Sequence, residues 1–354
     1  MEFQLSRREL IAGIGAAGAL PSAGLARKLS ADPAARAHDW DWLIGNWDVW
    51  HRRLKERLAD NHDWQEFSGK SALWLALDGL ATIDDNVVDI PSGTYRGLTV
   101  RAWDPKSDQW AIWWVDGRNP TLIDPPVRGG FVGDTGVFAG PDIFKGTPVT
   151  VRFRWLDIHS ARPHWDQAMS TDGGKTWETN WENFFTRTAP VATTLPLIAG
   201  HPSDFDFLHG SWSVRHRRLR QRLAGSTDWE SFTGTLTNRP VLGGHANIGD
   251  NRFGRSGGAQ TGIGLRTFDP TRGEWLSWWL DGRDPTRFDA PLRGRFVDGV
   301  GSFEGDDLLG SRPVRTRARW SAITANSARW EQAMSADSGA SWETNWISEF
   351  VRRA

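Results

Sequence analysis

Residues 38–187 recur as residues 203–352 at a single offset of 165, with no insertion or deletion in either copy. About 66 of the 150 aligned positions are identical. A repeat of this length indicates two complete domains rather than a solenoid, whose repeats span roughly 20 to 50 residues. A residue retained in both copies therefore serves both domains, and a residue found in one copy marks where the domains differ.

The composition excludes several classes of function. The formal net charge at pH 7 is −1, with arginines and carboxylates interspersed, so the chain lacks the basic surface of a nucleic-acid-binding protein. It contains no cysteine, which excludes disulfides, thiolate metal sites and cysteine nucleophiles. The histidines show no metal-ligand spacing, and we expect neither a metal nor a cofactor. The composition favours a small neutral or weakly charged ligand as the partner.

Residues 1–30 form a separate N-terminal segment. Ser6-Arg7-Arg8-Glu9-Leu10-Ile11 precedes a mildly apolar run rich in alanine and glycine, which ends in small residues near Ala26. This segment resembles a twin-arginine export signal with its cleavage site. The run is too short and too weakly apolar to span a membrane stably, so we expect no stable membrane insertion. The resemblance implies a periplasmic or otherwise exported protein.

Each copy has the sequence pattern of an all-β domain. Runs rich in Trp, Val, Phe and Thr alternate with turn-forming clusters, and no run keeps a 3.6-residue apolar period. Consecutive hairpins of this kind close most economically as an antiparallel up-and-down barrel of about eight to ten strands. The strands predicted in the first copy are 47–54, 66–77, 81–88, 96–103, 109–116, 130–138, 147–156, 165–171 and 177–187.

The repeat defines the domain organisation. We predict one barrel over residues 38–187, a linker with three prolines over 188–202, and a second barrel over 203–352. The tryptophans predicted on the outer faces of the strands would allow the barrels to pack on each other.

Each copy opens with a Gly-x-Trp tripeptide, Gly45-Asn46-Trp47 in the first and Gly210-Ser211-Trp212 in the second. These tripeptides, within segments 42–49 and 207–214, resemble the opening of lipocalin and calycin barrels. The resemblance is closest to bacterial lipocalin-like domains of uncharacterised function. It implies that the Trp plugs the closed end of the barrel and that a basic residue of the last strand lies across its ring. Arg187 and Arg352 stand at the matching positions.

Adjacent tryptophans, Trp113-Trp114 and Trp278-Trp279, fall within a predicted strand of each copy, so the two rings of a pair face opposite sides of the sheet. An inward indole offers a flat apolar wall to a planar or polyene ligand, or a stacking surface to a sugar. Its alternative role is to fill the barrel. We take Trp114 and Trp279 as the candidate ligand-binding walls.

His51 and His216 lie four residues after the Gly-x-Trp tryptophan, on the same strand face. We expect that face to be the lumen. A histidine inside an apolar barrel can have a lowered pKa and transfer a proton, although buried histidines also serve structural roles.

A pair of arginines alternates along one strand in each copy: Arg152 and Arg154, matched by Arg317 and Arg319. Pointing inward, they would resemble the anion clamp of fatty-acid-binding barrels and bind a carboxylate or phenolate. Pointing outward, they would be solvated surface.

Further polar residues are retained on the last two predicted strands of each copy. If they face inward, they can join the arginines in one polar network, which serves either a ligand or the specificity of folding. They are Gln167, Glu178 and Asn180 in the first copy and Gln332, Glu343 and Asn345 in the second.

Three functions remain open at this point. The first is a carrier that binds an apolar or aromatic small molecule in each barrel. The second is a cofactor-independent hydratase, isomerase or cyclase, as tandem lipocalin-like proteins include enzymes acting on carotenoids; here His51 or His216 would move the proton with Glu178 or Glu343 as partner. The third is carbohydrate binding or cleavage, which needs two carboxylates facing each other across the lumen.

Overall fold

The computed structural model describes residues 33–255 and 258–353. The export signal predicted at the N-terminus lies outside these described residues. The chain divides into two compact units between Thr193 and Thr194. Each unit is a closed antiparallel barrel of ten strands, which confirms the predicted all-β class and the tandem up-and-down barrels.

The first barrel is a meander in which each strand pairs with its neighbours in sequence and the last strand pairs with the first. A helix at Pro33–Arg36 (α1) and a 3-10 segment at Asp41–Leu43 precede it, and a second 3-10 segment lies at Leu77–Gly79. The strands are β1 Gly45–Leu54, β2 Trp64–Ala76, β3 Ala81–Ile90, β4 Gly93–Asp104, β5 Gln109–Asp116, β6 Val127–Val132, β7 Thr135–Phe144, β8 Thr147–Leu156, β9 His164–Ser170 and β10 Glu178–Ala189.

The second barrel repeats this order and closes through β11 and β20. Its 3-10 segments lie at Asp206–Leu208 and Leu242–Gly244. The strands are β11 Gly210–Leu219, β12 Trp229–Val241, β13 Ala246–Arg255, β14 Gly258–Asp269, β15 Glu274–Asp281, β16 Leu292–Val297, β17 Val300–Leu309, β18 Arg312–Ser321, β19 Ser327–Ser335 and β20 Glu343–Arg352.

One predicted strand is wrong. The single strand predicted over 130–138 is two strands, β6 and β7, joined by a two-residue turn at Gly133 and Asp134. Gly133 has a φ of 59°, a left-handed conformation that glycine adopts without steric cost. The second copy has Asp298 and Gly299 there, with φ values of 50° and 75°, as in a type I′ hairpin turn.

Alternation along β1 shows how the sequence builds a lumen. Trp47, Val49 and His51 are buried and face inward, whereas Asp48 and Trp50 between them face outward. The same alternation recurs in β11. Residues two apart therefore line one surface, as the pleat of a β-strand requires.

The core of each barrel lies at the end where β1 or β11 begins, which we call the closed end. In the first barrel the 3-10 segment brings Trp40 beneath the strands, where its ring lies 4.8 Å from that of Phe131 and 5.9 Å from that of Trp110. Phe205 takes the place of Trp40 in the second barrel, 4.9 Å from Trp275. Aromatic packing thus fills the closed ends. We call the opposite ends of the barrels the open ends.

No helix among the described residues has the length and apolar character needed to cross a membrane.

Candidate binding sites in the barrel lumens

The Gly-x-Trp tryptophans plug the closed ends as the resemblance implies. The indole nitrogens of Trp47 and Trp212 each donate a hydrogen bond of 2.8 Å to a backbone carbonyl of the preceding 3-10 segment. The Arg187 guanidinium lies 4.1 Å from the Trp47 ring centroid, and that of Arg352 lies 4.3 Å from Trp212. Both arginines also donate to carbonyls of the segment before the first strand. These residues fasten the closed end.

Above the plug, His51 faces the lumen of the first barrel. Its ring stacks on Phe67 at 4.9 Å, and Nδ1 lies 2.6 Å from Asn183 Oδ1. The Trp181 indole nitrogen lies 3.3 Å from the same Nδ1. Because the shorter contact needs a proton on Nδ1, we assign the Nδ1–H tautomer, which donates to Asn183. A Cβ at Gly69 would lie 2.4 Å from His51 Nε2, so the glycine makes room for the imidazole.

His216 occupies the same position in the second barrel with one change of partner. It stacks on Phe232 at 4.8 Å, and its Nδ1 lies 2.8 Å from the Ser348 hydroxyl. A hydroxyl can donate or accept, so His216 is free to adopt either tautomer. Gly234 again leaves the space for the ring, since a Cβ there would lie 2.7 Å from Nε2.

Burial lowers the pKa of each luminal histidine to about 4. Both side chains are therefore neutral at pH 7, because desolvation disfavours the imidazolium. A general acid or base works best when its pKa lies near the operating pH. At pH 7 neither histidine can donate as an imidazolium, and as a base each is weak.

Glu178 and Glu343 do not partner the histidines. Both carboxylate oxygens of Glu178 accept a hydrogen bond from the Leu58 backbone nitrogen at 2.9 Å. Glu343 accepts from the Leu223 nitrogen at 2.6 Å. Each glutamate thus fixes the loop between the first two strands of its barrel at the open end. The predicted His–Glu proton-transfer pair is wrong, because the carboxylates cap loop amides instead.

Gln167 and Asn180 lie beside each other, with the Gln167 Nε2 donating to Asn180 Oδ1 at 2.9 Å. Gln332 and Asn345 repeat this bond at 3.2 Å. Asn180 is the extra residue of a β-bulge between β9 and β10, where the register shifts. Part of the expected polar network therefore exists. It includes the bulge residue, whose side chain bonds to the neighbouring strand.

The paired arginines do not form the expected anion clamp. Along β8 the inward positions are Val151 and Trp155, so Arg152 and Arg154 face outward. Arg154 pairs with Asp166 on the outer face of β9, and Arg152 lies 4.3 Å from the Trp177 ring.

The second barrel places its arginine pair in the same way. Arg317 lies 4.3 Å from the Trp342 ring, and Arg319 is exposed on the outer face, because Ala318 and Trp320 take the inward positions of β18. In both barrels the pleat therefore turns these arginines away from the lumen.

Trp114 and Trp279 face the lumens as proposed, and Trp113 and Trp278 face outward. Trp114 packs with Phe67, Val88 and Tyr95 in the open half of the first barrel. Glycines make room for both inward rings, since a Cβ at Gly97 would lie 2.1 Å from Trp114 and one at Gly262 would lie 2.2 Å from Trp279.

Inward aromatic rings differ in exposure between the two ends of the first barrel. Trp40 and Trp110 at the closed end are each 1% exposed. Trp114, Trp165 and Trp181, farther toward the open end, are half-buried. The second barrel shows the same contrast between its closed-end Trp275, which is 1% exposed, and half-buried open-end rings. The open-half tryptophans thus present indole surface that protein atoms leave uncovered, whereas Phe67 and Tyr95 beside Trp114 are each 7% exposed.

Two charged luminal residues were not singled out from the sequence. Arg101 and Asp84 form a buried ion pair in the first barrel, with the Arg101 Nη1 donating to Asp84 Oδ1 at 2.9 Å. Arg101 is retained as Arg266, whereas Asp84 is replaced by Gly249. The sequence signal for this pair is an arginine that both copies retain together with an aspartate that only the first copy has.

Comparisons with known proteins add a fold likeness without an activity. No protein-family model matches the chain, and no curated protein matches it. Among the similar solved structures is a protein of unknown function of the DUF3598 family from Nostoc punctiforme, at 12% identity over 90% of this chain and 99% of that one, with a TM-score of 0.27. Transferrin binding protein B from Haemophilus parasuis is similar at 6% identity over 86% of this chain and 75% of that one, with a TM-score of 0.19. AofleA from Arthrobotrys oligospora is similar at 9% identity over 88% and 94%, with a TM-score of 0.16. Likenesses this weak carry no argument about function.

Proposed function

We propose that this chain is a lipocalin-like small-molecule carrier that binds an apolar or aromatic ligand in the open half of its barrel lumens. The contrast in exposure between tryptophans carries the proposal: inward indole rings are covered at the closed end and half-buried toward the open end. Uncovered aromatic surface inside a barrel is what a planar apolar ligand would bury on binding. The histidines there are neutral at pH 7, and cations lie over two of the rings, Arg53 at 5.1 Å from Trp181 and Arg218 at 4.6 Å from Trp346.

A neutral aromatic amine, N-phenyl-1-naphthylamine, is a suitable probe because its fluorescence rises in an apolar site. We expect saturable binding to the wild type and at least tenfold weaker binding to the double variant Trp114→Ala/Trp279→Ala, since each truncation removes a luminal wall. Trp50→Ala is the matched control, because Trp50 lies on the outer face of β1 beside Phe184. Equal loss of affinity in the control, or no saturable binding to the wild type, would contradict the proposal.

We further propose that the carrier is exported, on the basis of the twin-arginine-like sequence near Arg7 and Arg8. Fusion of residues 1–37 to a reporter that is active only outside the cytoplasm tests this in a bacterial host with a twin-arginine pathway. Export should be lost in the Arg7→Lys/Arg8→Lys variant. Equal export of the lysine variant would exclude this route.

A further inference from the structure

The two lumens differ in the ion-pair and hydrogen-bond partners of one retained arginine. Arg101, on β4, is 4% exposed and lies 4.6 Å from the Trp40 ring. Its ion pair with Asp84, and a longer hydrogen bond of 3.4 Å to the Thr82 hydroxyl, provide the counterion that a buried guanidinium requires. The charge of Arg101 is therefore compensated by Asp84, although its Nε lacks a hydrogen-bond partner.

Arg266 stands at the same position on β14 of the second barrel and has no such counterion. Gly249 replaces the aspartate, and the only hydrogen bond of Arg266 among the described residues is from Nη1 to Asn247 Oδ1, at 3.2 Å. Its guanidinium lies 5.4 Å from the Phe205 ring and 5.7 Å from that of Trp320. A buried charge held only by an amide and aromatic rings is incompletely compensated.

Three buried polar atoms at this place lack a hydrogen-bond partner. They are Arg266 Nε, Asn247 Nδ2 and Asn238 Oδ1, and the first two are donors. The strand register places Asn247 directly opposite Arg266 on the same luminal face. Asn238 is joined to Asn247 by a hydrogen bond of 3.0 Å. Unsatisfied donors next to an uncompensated cation are suited to an anionic oxygen ligand.

Two neighbouring side chains on the side of β14 and β15 are smaller than in the first barrel. Thr99 becomes Gly264 and Ile112 becomes Ser277, and Ser277 pairs with Arg266 across the sheet. Arg266 and Ser277 are half-buried, whereas Ile112 is 6% exposed. Burial lowers the pKa of Arg266 to about 10, and the side chain stays charged at pH 7. Arg266 and Ser277 are thus more accessible than Arg101 and Ile112 at the same positions of the first lumen.

We propose that the second barrel binds the carboxylate group of a small apolar or aromatic ligand, with Arg266 as counterion and the Asn247 amide as an additional donor. The ligand carboxylate takes the electrostatic role that Asp84 plays in the first barrel. The ligand's apolar part lies against the aromatic wall around Trp279, so the inference rests on the proposed carrier function. The first barrel, which carries its own carboxylate, takes a neutral ligand.

The test compares acids with neutral molecules of matched size by isothermal titration calorimetry. Benzoate and decanoate are paired with benzyl alcohol and decanol, and nitrate serves as an inorganic anion. We expect wild-type protein to bind one of the acids at least tenfold more tightly than its neutral match, and to bind nitrate more weakly than that acid. Arg266→Met should remove the preference for the acid while leaving the neutral probes bound.

A second variant guards against a folding defect in Arg266→Met. Leu236→Ser/Gly249→Asp transfers the residues of the first barrel, Ser71 and Asp84, into the second; the serine is needed because a Cβ at Gly249 would lie 2.7 Å from Leu236 Cδ1. This variant supplies an internal counterion and should lose the acid preference without losing stability. Leu236→Ser alone is its control and should keep the preference.

The outcomes separate the two proposals. If neutral probes bind but acids show no preference, or if Arg266→Met and Leu236→Ser/Gly249→Asp both retain the preference, the anion site is wrong and the carrier function stands. If nitrate binds as tightly as the acids, the site takes an inorganic anion and the assignment to a carboxylate is wrong. If neither acids nor neutral probes bind, both proposals fail.

Discussion

At the scale of single residues, the sequence predicted positions better than partners. The spacing of His51 from Trp47 placed the imidazole correctly in the lumen, because the pleat repeats every two residues whatever the tertiary structure. The partner of Glu178 could not be predicted, since it is a backbone amide of a loop 120 residues away in sequence. Arg101 was overlooked because a lone arginine in a strand gives no local sign that it faces inward.

The luminal histidines should make stability depend on pH in a defined window. Each has a pKa of about 4 when folded against about 6.5 when unfolded, so protonation favours unfolding. The free energy of unfolding is not reduced by the histidines above pH 6.5. It decreases as the pH falls from 6.5 to 4, by about 3 kcal/mol per histidine in total. Urea unfolding between pH 7.5 and 4.5 measures this loss.

His51→Gln and His216→Gln are the variants that assign the loss of stability to the histidines. Each should show a smaller decrease in unfolding free energy across this pH window than the wild type, whatever its stability at pH 7.5. Parallel curves for the wild type and both variants would mean that the imidazoles are not the groups responsible.

At the scale of elements, strand bounds followed from alternation and turn chemistry. The bounds of β5 and β8 were predicted to the residue, because Asp- and Gly-containing turns flank them. The β6–β7 turn was overlooked, since two residues suffice to reverse the chain and the single Gly133 does not interrupt the apolar pattern. The bulge at Asn180 was likewise invisible, because an inserted residue changes the register without changing the composition.

The loop between β1 and β2 should depend on its carboxylate anchor. Glu178→Ala removes the acceptor of the Leu58 amide and should raise hydrogen exchange across residues 55–63, at a cost of about 1 to 2 kcal/mol. Hydrogen–deuterium exchange followed by mass spectrometry measures the change. Glu178→Gln keeps an acceptor oxygen and should leave exchange near the wild-type rate; equal acceleration in both variants would mean that charge rather than hydrogen bonding holds the loop.

At the scale of the whole molecule, duplication supplies an internal comparison that a single barrel lacks. Two features retained in both copies are structural: the arginine across the Gly-x-Trp ring, and the turn before the last strand at residues 170–177 and 335–342. In that turn Asp172 accepts a hydrogen bond from the Thr176 backbone and Asp337 accepts one from the Ser335 hydroxyl, which lower the pKa of each carboxyl. Features that diverge, above all Asp84 against Gly249, mark where the two lumens have different chemistry.

This divergence leads to a prediction about stoichiometry that joins both proposals. A neutral probe such as decanol should occupy two sites per chain, because both open halves present aromatic surface. Decanoate should occupy one tight site, because Arg266 attracts an anion to the second lumen, whereas Asp84 already neutralises Arg101 in the first. Native mass spectrometry across a concentration series distinguishes one tight site from two. Two equivalent sites for decanoate would show that the lumens do not discriminate by charge, whereas Arg266→Met should abolish the tight decanoate site and leave both decanol sites occupied.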